Sequence, residues 1–241
     1  MPTVLIPGAS RGLGLEFARQ YANDRWQVIA TCRDPEKAEA LQKLAQQYSS
    51  VQIEKLDVAD QASIAALADK LKDTAIDILI NNAGILSGSS SPPEFSDKND
   101  ASQNIGSIDP KAWAKILEVN TIAPVMVSQA FLPHIRRGSE RKIVMISSGW
   151  ASIELTSPGY MAYRTSKTAL NAAMRNVALT LAEEKIIVVS LGPGWVKTDM
   201  GGENADISPE ASARGLRKVI AALTLEQSGQ FLRYTGNIVP W

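Results

Sequence analysis

Short runs of Val, Ile and Leu punctuate the chain, separated by longer stretches in which apolar residues return every three or four positions. The runs are "TVLI" (3–6), "QVIATC" (27–32), "VQIEKLDV" (51–58), "IDILINNAG" (76–84), "KIVMISS" (142–148) and "IIVVSLGPG" (186–194). Between them stand helix-start signals. Asp34-Pro35 pairs an N-cap residue with proline at the first helical position, and Glu36 then suits the positive end of the dipole. Asp60 is placed to cap a helix in which Ile64, Leu67, Ala68 and Leu71 share one face. Asp109-Pro110 and Ser208-Pro209 repeat the first signal. Strands alternating with helices, the strands nearly continuous in apolar residues, predict an α/β fold: a doubly wound parallel sheet covered on both faces. No internal repeat or composition shift marks a second domain, so residues 1–241 are expected to form one.

One stretch breaks the rhythm. "LSGSSSPPEFSDKNDASQNIGS" (86–107) is polar and Ser-rich and contains Pro-Pro. It reads either as a solvated excursion or as a rim beside a site, because it leaves the carboxyl end of a strand.

Composition narrows the chemistry more than the fold. Twenty-five Lys and Arg balance 25 Asp and Glu, so no overall positive field recruits nucleic acid or an anionic membrane. Cys32 is the only cysteine and His134 the only histidine. That excludes an intrachain disulfide and a Cys/His metal cluster, and leaves no spare histidine for a Ser-His-Asp triad; no metal site is expected. "MPTVLIPGAS" lacks the basic leader of a signal peptide, and no run approaches the roughly 20 apolar residues of a membrane helix. A cytoplasmic protein is the expectation.

Three glycines then stand out. Gly8, Gly12 and Gly14 lie between the first strand and the first helix. Such a turn aims backbone N–H groups and a helix dipole at an anion, and lets a pyrophosphate approach where no Cβ intervenes. A plain tight turn is the alternative, since G-x-x-x-G-x-G departs from the commoner G-x-G-x-x-G. An NAD site places an acid about 20 residues further on, to bind a ribose hydroxyl. Cys32-Arg33 stands there instead. Arg33 and Arg11 suit a 2′-phosphate, which guanidinium binds in a bidentate manner, unless Arg33 is simply a solvated surface residue.

The motifs "GASRGLG" (8–14), "DV" (57–58), "NNAG" (81–84), Asn120 in "VNTIAP", "ISS" (146–148), "YRTSK" (163–167) and "PGWVKTD" (193–199) follow one another along nearly the whole chain. In this order the chain closely resembles the short-chain dehydrogenase/reductase family. "ATCRDP", "PGWVKTDMGG" and "IVPW" look most like its carbonyl-reductase-like, C-factor-like branch. The resemblance implies a Rossmann-type fold, NADP(H) as cofactor and an aldehyde, ketone or alcohol as substrate. It also implies a possible homo-oligomer, dimer or tetramer. Two departures stand out. Pro7 occupies the place of a usual Thr, removing a side-chain hydrogen bond that braces the turn. Ser148 and Tyr163 are 15 apart where many members have 13, which makes Ser147 an alternative to Ser148.

The family pattern assigns roles to these positions. Tyr163 becomes the general acid/base, and Lys167, four residues on and so on the same helix face, becomes both pKa modifier and ribose ligand. Tyrosine ordinarily titrates near 10, and a nearby ammonium is expected to lower that value. Tyr160 is a decoy, since its i+4 partner is Arg164. Ser148 would steady the substrate oxygen, or else merely cap a turn. Asn120 shares a helix face with Trp113, Ile116 and Leu117, and Pro124 cannot donate to its carbonyl. A kinked helix holding a water of the proton relay is the implied reading; a structural amide is the bland one. Gly8, Ser10, Arg11, Gly12, Leu13 and Gly14 would hold the pyrophosphate and Arg33 the 2′-phosphate. Asp57 and Val58 would hold the adenine, and Asn82, Ala83 and Gly84 the adenosine ribose. Pro193, Gly194, Val196 and Thr198 would lie against the nicotinamide, although "GPG" alone is an ordinary turn. Trp150, Met161, Trp195 and Met200 are candidates for an apolar substrate wall, and "DMGGENADIS" (199–208) for a lid. A different class of function, a cofactor-sensing regulatory protein with little catalysis, is the competing reading. The complete Asn120, Ser148, Tyr163, Lys167 set argues against it.

Overall fold

In the computed structural model, residues 1–87 and 104–241 are described. Seven parallel strands form one sheet: β1 (Thr3–Pro7), β2 (Gln27–Cys32), β3 (Val51–Lys55), β4 (Ile78–Asn81), β5 (Lys142–Ile146), β6 (Ile187–Gly192) and β7 (Phe231–Arg233). Their order across the sheet is β3-β2-β1-β4-β5-β6-β7. Strand order therefore reverses between β1 and β4, and a crevice opens outside their carboxyl ends. The six strands anticipated from the apolar runs are present, and the last four end before the polar or glycine residues that close their runs. β7 has only three residues, too few to show a periodicity, and its pairing with β6 defines it.

Among the described residues, seven α-helices cover the sheet: α1 (Gly12–Asn23), α2 (Glu39–Gln47), α3 (Gln61–Lys70), α4 (Pro110–Leu117), α5 (Ala123–Arg137), α6 (Met161–Thr180) and α7 (Pro209–Ala222). Strand side chains alternate between two cores. Val4, Ile6, Ile80, Val144 and Leu191 pack with Phe17 and Leu216 beneath α1, α2 and α7. Leu5, Leu79, Ile143 and Met145 pack with Phe131, Leu170 and Met174 beneath α3, α5 and α6. Both faces of the sheet are thus buried, which accounts for the unbroken apolar runs.

The caps divide. Asp60, Asp109 and Ser208 each accept a hydrogen bond from a backbone N–H in the first turn of the following helix. Asp34 does not: Pro35–Lys37 forms a single 3₁₀ turn, α2 begins only at Glu39, and the Asp34 carboxylate pairs with Lys37 at 2.7 Å. The combined helix of residues 110–137 is long and apolar enough to cross a membrane, contrary to the sequence expectation. Its apolar residues Val127, Phe131 and Ile135 are fully buried in the core beneath α3, α5 and α6. Most of the 86–107 stretch, and with it the question of a rim there, lies outside the described residues.

Candidate active site

The glycine turn, Arg33, Asp57, Asn82, Ser148 and Pro193 each lie just past the carboxyl end of a strand, and the topology gathers them at one edge of the sheet. Asn120 comes from the turn between α4 and α5, and Tyr163 and Lys167 come from α6. Around the first turn, Gly8 and Gly12 have φ of +78° and +56°, values that L side chains rarely adopt. Gly14 is buried, and a Cβ there would run into the Gly8 carbonyl oxygen. Arg11 occupies the N-cap of α1 in extended backbone with no side-chain cap, which leaves the first N–H groups of that helix to an outside acceptor. Ser10 and Leu13 complete the turn, half-buried. The brace that Pro7 cannot supply comes from the far side of the crevice: the Asn82 amide donates to the Gly8 carbonyl at 2.9 Å and to the Pro7 carbonyl at 3.3 Å. Asn82 thus shapes the glycine turn, a role that sequence spacing did not suggest. Ala83 lies so close beneath Gly8 that a Cβ on Gly8 would stand 2.8 Å from its Cα.

The neighbouring loops close the rest of the crevice. Arg33 is exposed just past β2 and has no hydrogen-bond or ion-pair partner among the described residues. Arg11 is instead paired with Asp199 at 2.8 Å, an exposed contact that joins the glycine turn to the loop after β6. Asp57 uses one carboxylate oxygen to accept from Ala59 N–H, and Val58 is buried beside it. Pro193 accepts from the Ser212 hydroxyl, and Gly194 has a φ of +82°. Thr198 accepts from Gly201 N–H, and its methyl would touch a Cβ on Gly12 at 3.4 Å. Beyond it, the 199–208 segment is closed at its base by the parallel pairing of Val196 with Ile207. Its two ends are therefore fixed to each other.

Tyr163 and Lys167 lie one turn apart on α6 and are 8% and 4% exposed. The Lys167 ammonium donates to the Ile146 carbonyl at 2.9 Å and stands 5.9 Å from the centre of the Tyr163 ring. Burial pushes the Tyr163 phenol up to about 12, against a hydrogen bond with Ser148 that opposes the shift. Burial also pulls the Lys167 amine down to about 8. In the chain by itself the phenol is therefore not acidified: desolvation outweighs the opposing hydrogen bond with Ser148. Of the two candidate serines, Ser148 is the one whose hydroxyl meets Tyr163, and it also accepts from Trp150 N–H at 3.2 Å. The Ser147 hydroxyl is buried with no partner among the described residues.

Asn120 is fully buried, but by another route than the simple stripe. Residues Glu118–Ile122 form a π-helical turn between α4 and α5, and Trp113 and Leu117 are only half-buried. Pro124 offers no N–H to the Asn120 carbonyl, and the widened turn is the local response. The Asn120 side chain is fully engaged: it accepts from Ile85 N–H at 2.8 Å and donates to the Ile85 carbonyl at 2.8 Å and the Ser166 hydroxyl at 3.1 Å. Its side-chain amide is thus satisfied by the protein itself. A Cβ on Gly84 would meet the Asn120 side chain at 3.3 Å and the Lys167 amine at 3.4 Å, so these three positions converge. Among the described residues, no cluster of three or more His, Cys, Asp or Glu residues could hold a metal.

Comparison with known proteins agrees with this arrangement. The family model for short chain dehydrogenases matches residues 2–207. C-signal of Myxococcus xanthus is 37% identical over 177 residues, covering 73% of this chain and 99% of that protein. Carbonyl reductase Sniffer of D. melanogaster superposes with a TM-score of 0.89 at 33% identity over the full length of both chains. An NADPH-bound carbonyl reductase from chicken fatty liver gives the same score at 35% identity, covering 100% of this chain and 99% of that one. With the strand order, the glycine turn and the Tyr163–Lys167 pair in place, the chain belongs to the short chain dehydrogenase family.

Proposed function

We propose that the protein is an NADPH-dependent carbonyl reductase, or the corresponding alcohol dehydrogenase in reverse. The observation that carries this reading is the contact of the Ser148 hydroxyl with the buried Tyr163 phenol, with the Lys167 amine one turn away. The crevice suits a dinucleotide phosphate. Its glycine turn has no room for a side chain at Gly14, its helix N-terminus has no side-chain cap, and Arg33 is an exposed cation at the rim with no partner among the described residues. The backbone of Gly12, Leu13 and Gly14 would bind the pyrophosphate, and Arg33, with Arg11, the 2′-phosphate. Gly8, Ser10, Asp57, Val58, Asn82, Ala83 and Gly84 would line the adenosine side, and Pro193, Gly194, Val196 and Thr198 the nicotinamide side. When bound, NADPH supplies the hydride for a carbonyl carbon.

The chain's own residues then manage the oxygen. Ser148 donates a hydrogen bond to it and Tyr163 delivers the phenolic proton as negative charge develops. A phenol held at about 12 stays protonated at neutral pH, which suits an acid in the direction of reduction. Lys167 stabilises the phenolate left behind, and Asn120, through its hold on Ile85 and Ser166, keeps the neighbouring backbone in place. In the test, purified protein is supplied with NADPH and a panel of aldehydes and ketones. Turnover is expected, and Tyr163→Phe should lower kcat by about 10²–10⁴-fold with NADPH affinity kept. NADPH binding without turnover of any carbonyl would overturn the reading.

A second reading has one specific support, the resemblance to C-signal. On it the protein senses the dinucleotide and catalysis is incidental. The two separate genetically: a sensor keeps its phenotype in Tyr163→Phe and loses it on substitution of Gly14, whereas a reductase loses it in both.

A further inference from the structure

Arg164 directly follows Tyr163 and is only 8% exposed, yet no carboxylate meets it among the described residues. Its Nε donates to the Gly159 carbonyl at 2.9 Å and Nη2 to the Ser157 hydroxyl at 2.7 Å, while Nη1 is buried without a partner among the described residues. Burying a guanidinium against neutral acceptors alone is costly, so the fold carries this charge at a loss. What it gains is a fastening. Both acceptors belong to the segment between Ser148 and Tyr163. The guanidinium also lies over the Trp150 ring, with Cζ 4.5 Å from its centre.

Trp150 is held from several sides. Its backbone N–H donates to Ser148, and the Thr168 hydroxyl donates to the carbonyl of the next residue, Ala151, at 2.9 Å. Its ring stacks on Tyr160 at 5.1 Å and meets Tyr163 edge-on at 6.0 Å and 83°. The indole is nevertheless 38% exposed. A flat apolar surface is thus immobilised beside the proposed acid while part of it still faces outward. Such a surface binds a second ring at little entropic cost, because its own ordering was completed on folding.

We propose that Arg164 is a positioning residue that locks Trp150 as one wall of the substrate site, and that this wall selects carbonyl compounds carrying an aromatic ring next to the carbonyl. The inference rests on the reductase reading for the identity of the site, and its test is therefore read by binding as well as turnover. The full-length protein, loaded with NADPH, is titrated calorimetrically with benzamide and with propanamide, carbonyl compounds that a carbonyl reductase does not reduce. In parallel, kcat and KM are measured for benzaldehyde and propanal.

Wild type should bind benzamide about tenfold tighter than propanamide, on the order of one good ring contact. Trp150→Leu and Arg164→Met should each cut that preference to about threefold or less, with the loss for benzaldehyde appearing mainly in KM. Arg164→Lys should fall between, because an ammonium cannot reproduce the two-pronged hold. An unchanged preference in Arg164→Met, or no preference in wild type, overturns the inference. Should Arg164→Met fail to bind NADPH, an unchanged preference in Arg164→Lys overturns it instead. If the amides behave as expected while neither aldehyde oxidises NADPH, the wall stands and the reductase reading falls.

Discussion

At the scale of single residues, the site pairs two groups whose burial drives them towards neutrality. Lys167 titrates near 8 in the fold and near 10.4 when unfolded, so between those values the unfolded chain binds more protons. Stability should therefore rise as pH increases from about 8 to about 10. Denaturant melts across that range should show the rise in wild type, and Lys167→Met should flatten it. Above about 10 the sign turns, because Tyr163 keeps its proton in the fold after an unfolded tyrosine has lost it. Gly14 supports a second expectation. A methyl group there runs into the Gly8 carbonyl, so Gly14→Ala should weaken NADPH binding by at least about tenfold with its far-ultraviolet dichroism retained. Glycine spacing suggested a close approach in this turn; that the nearest atom belongs to the turn itself emerges only from the folded loop. Likewise the Tyr163–Lys167 spacing was legible, but the balance between burial and charge depends on what covers α6, and four residues of sequence do not contain that.

At the scale of elements, the two edges of the sheet do different work. The carboxyl edge gathers the candidate site, and the amino edge is stitched by Asp77. Its carboxylate accepts from Thr3 N–H at 2.7 Å, from Ser139 N–H and hydroxyl at 2.7 Å each, and from Glu140 N–H at 3.3 Å. Burial pushes this carboxyl up, but those donors together outweigh it and hold it below the ordinary range. Its contribution is present above about pH 4 and lost as pH falls through the lowered folded value. Asp77→Asn should cost about 1–3 kcal/mol in urea melts at neutral pH and leave the NADPH dissociation constant unchanged. Nothing in "AIDILI" announces this hub, because its donors lie 62 to 74 residues away. Helix starts were legible wherever a cap could form locally, as at Asp60, Asp109 and Ser208. Asp34 departs because Lys37 takes its carboxylate and the chain after Pro35 completes one 3₁₀ turn only. The π turn at Glu118–Ile122 had a partial signal in Pro124, which pointed to a disturbed ladder without saying that the helix would widen rather than bend.

At the scale of the whole molecule, alternation of apolar runs and amphipathic segments was enough to read the doubly wound architecture, since burial on both faces of a sheet leaves a plain imprint on composition. The three-residue β7 leaves none. The reversal of strand order between β1 and β4 puts the proposed cofactor between two halves of the fold, so its binding should stabilise the molecule as a unit. At 100 times its dissociation constant, NADPH should add about 2.7 kcal/mol and raise Tm by roughly 5–10 °C in a thermal-shift measurement. Arg33→Ala should shrink the shift with NADPH and leave that with NADH intact, since only the former carries the extra phosphate.

The amide of Asn82, spanning 74 residues to reach Gly8, has a bearing on synthesis as well. A nascent chain that has emerged only as far as α3 carries the entire glycine turn but not the group that shapes it. If the glycine turn holds the nucleotide as proposed, capture during translation is expected to wait until β4 has left the ribosome and docked beside β1.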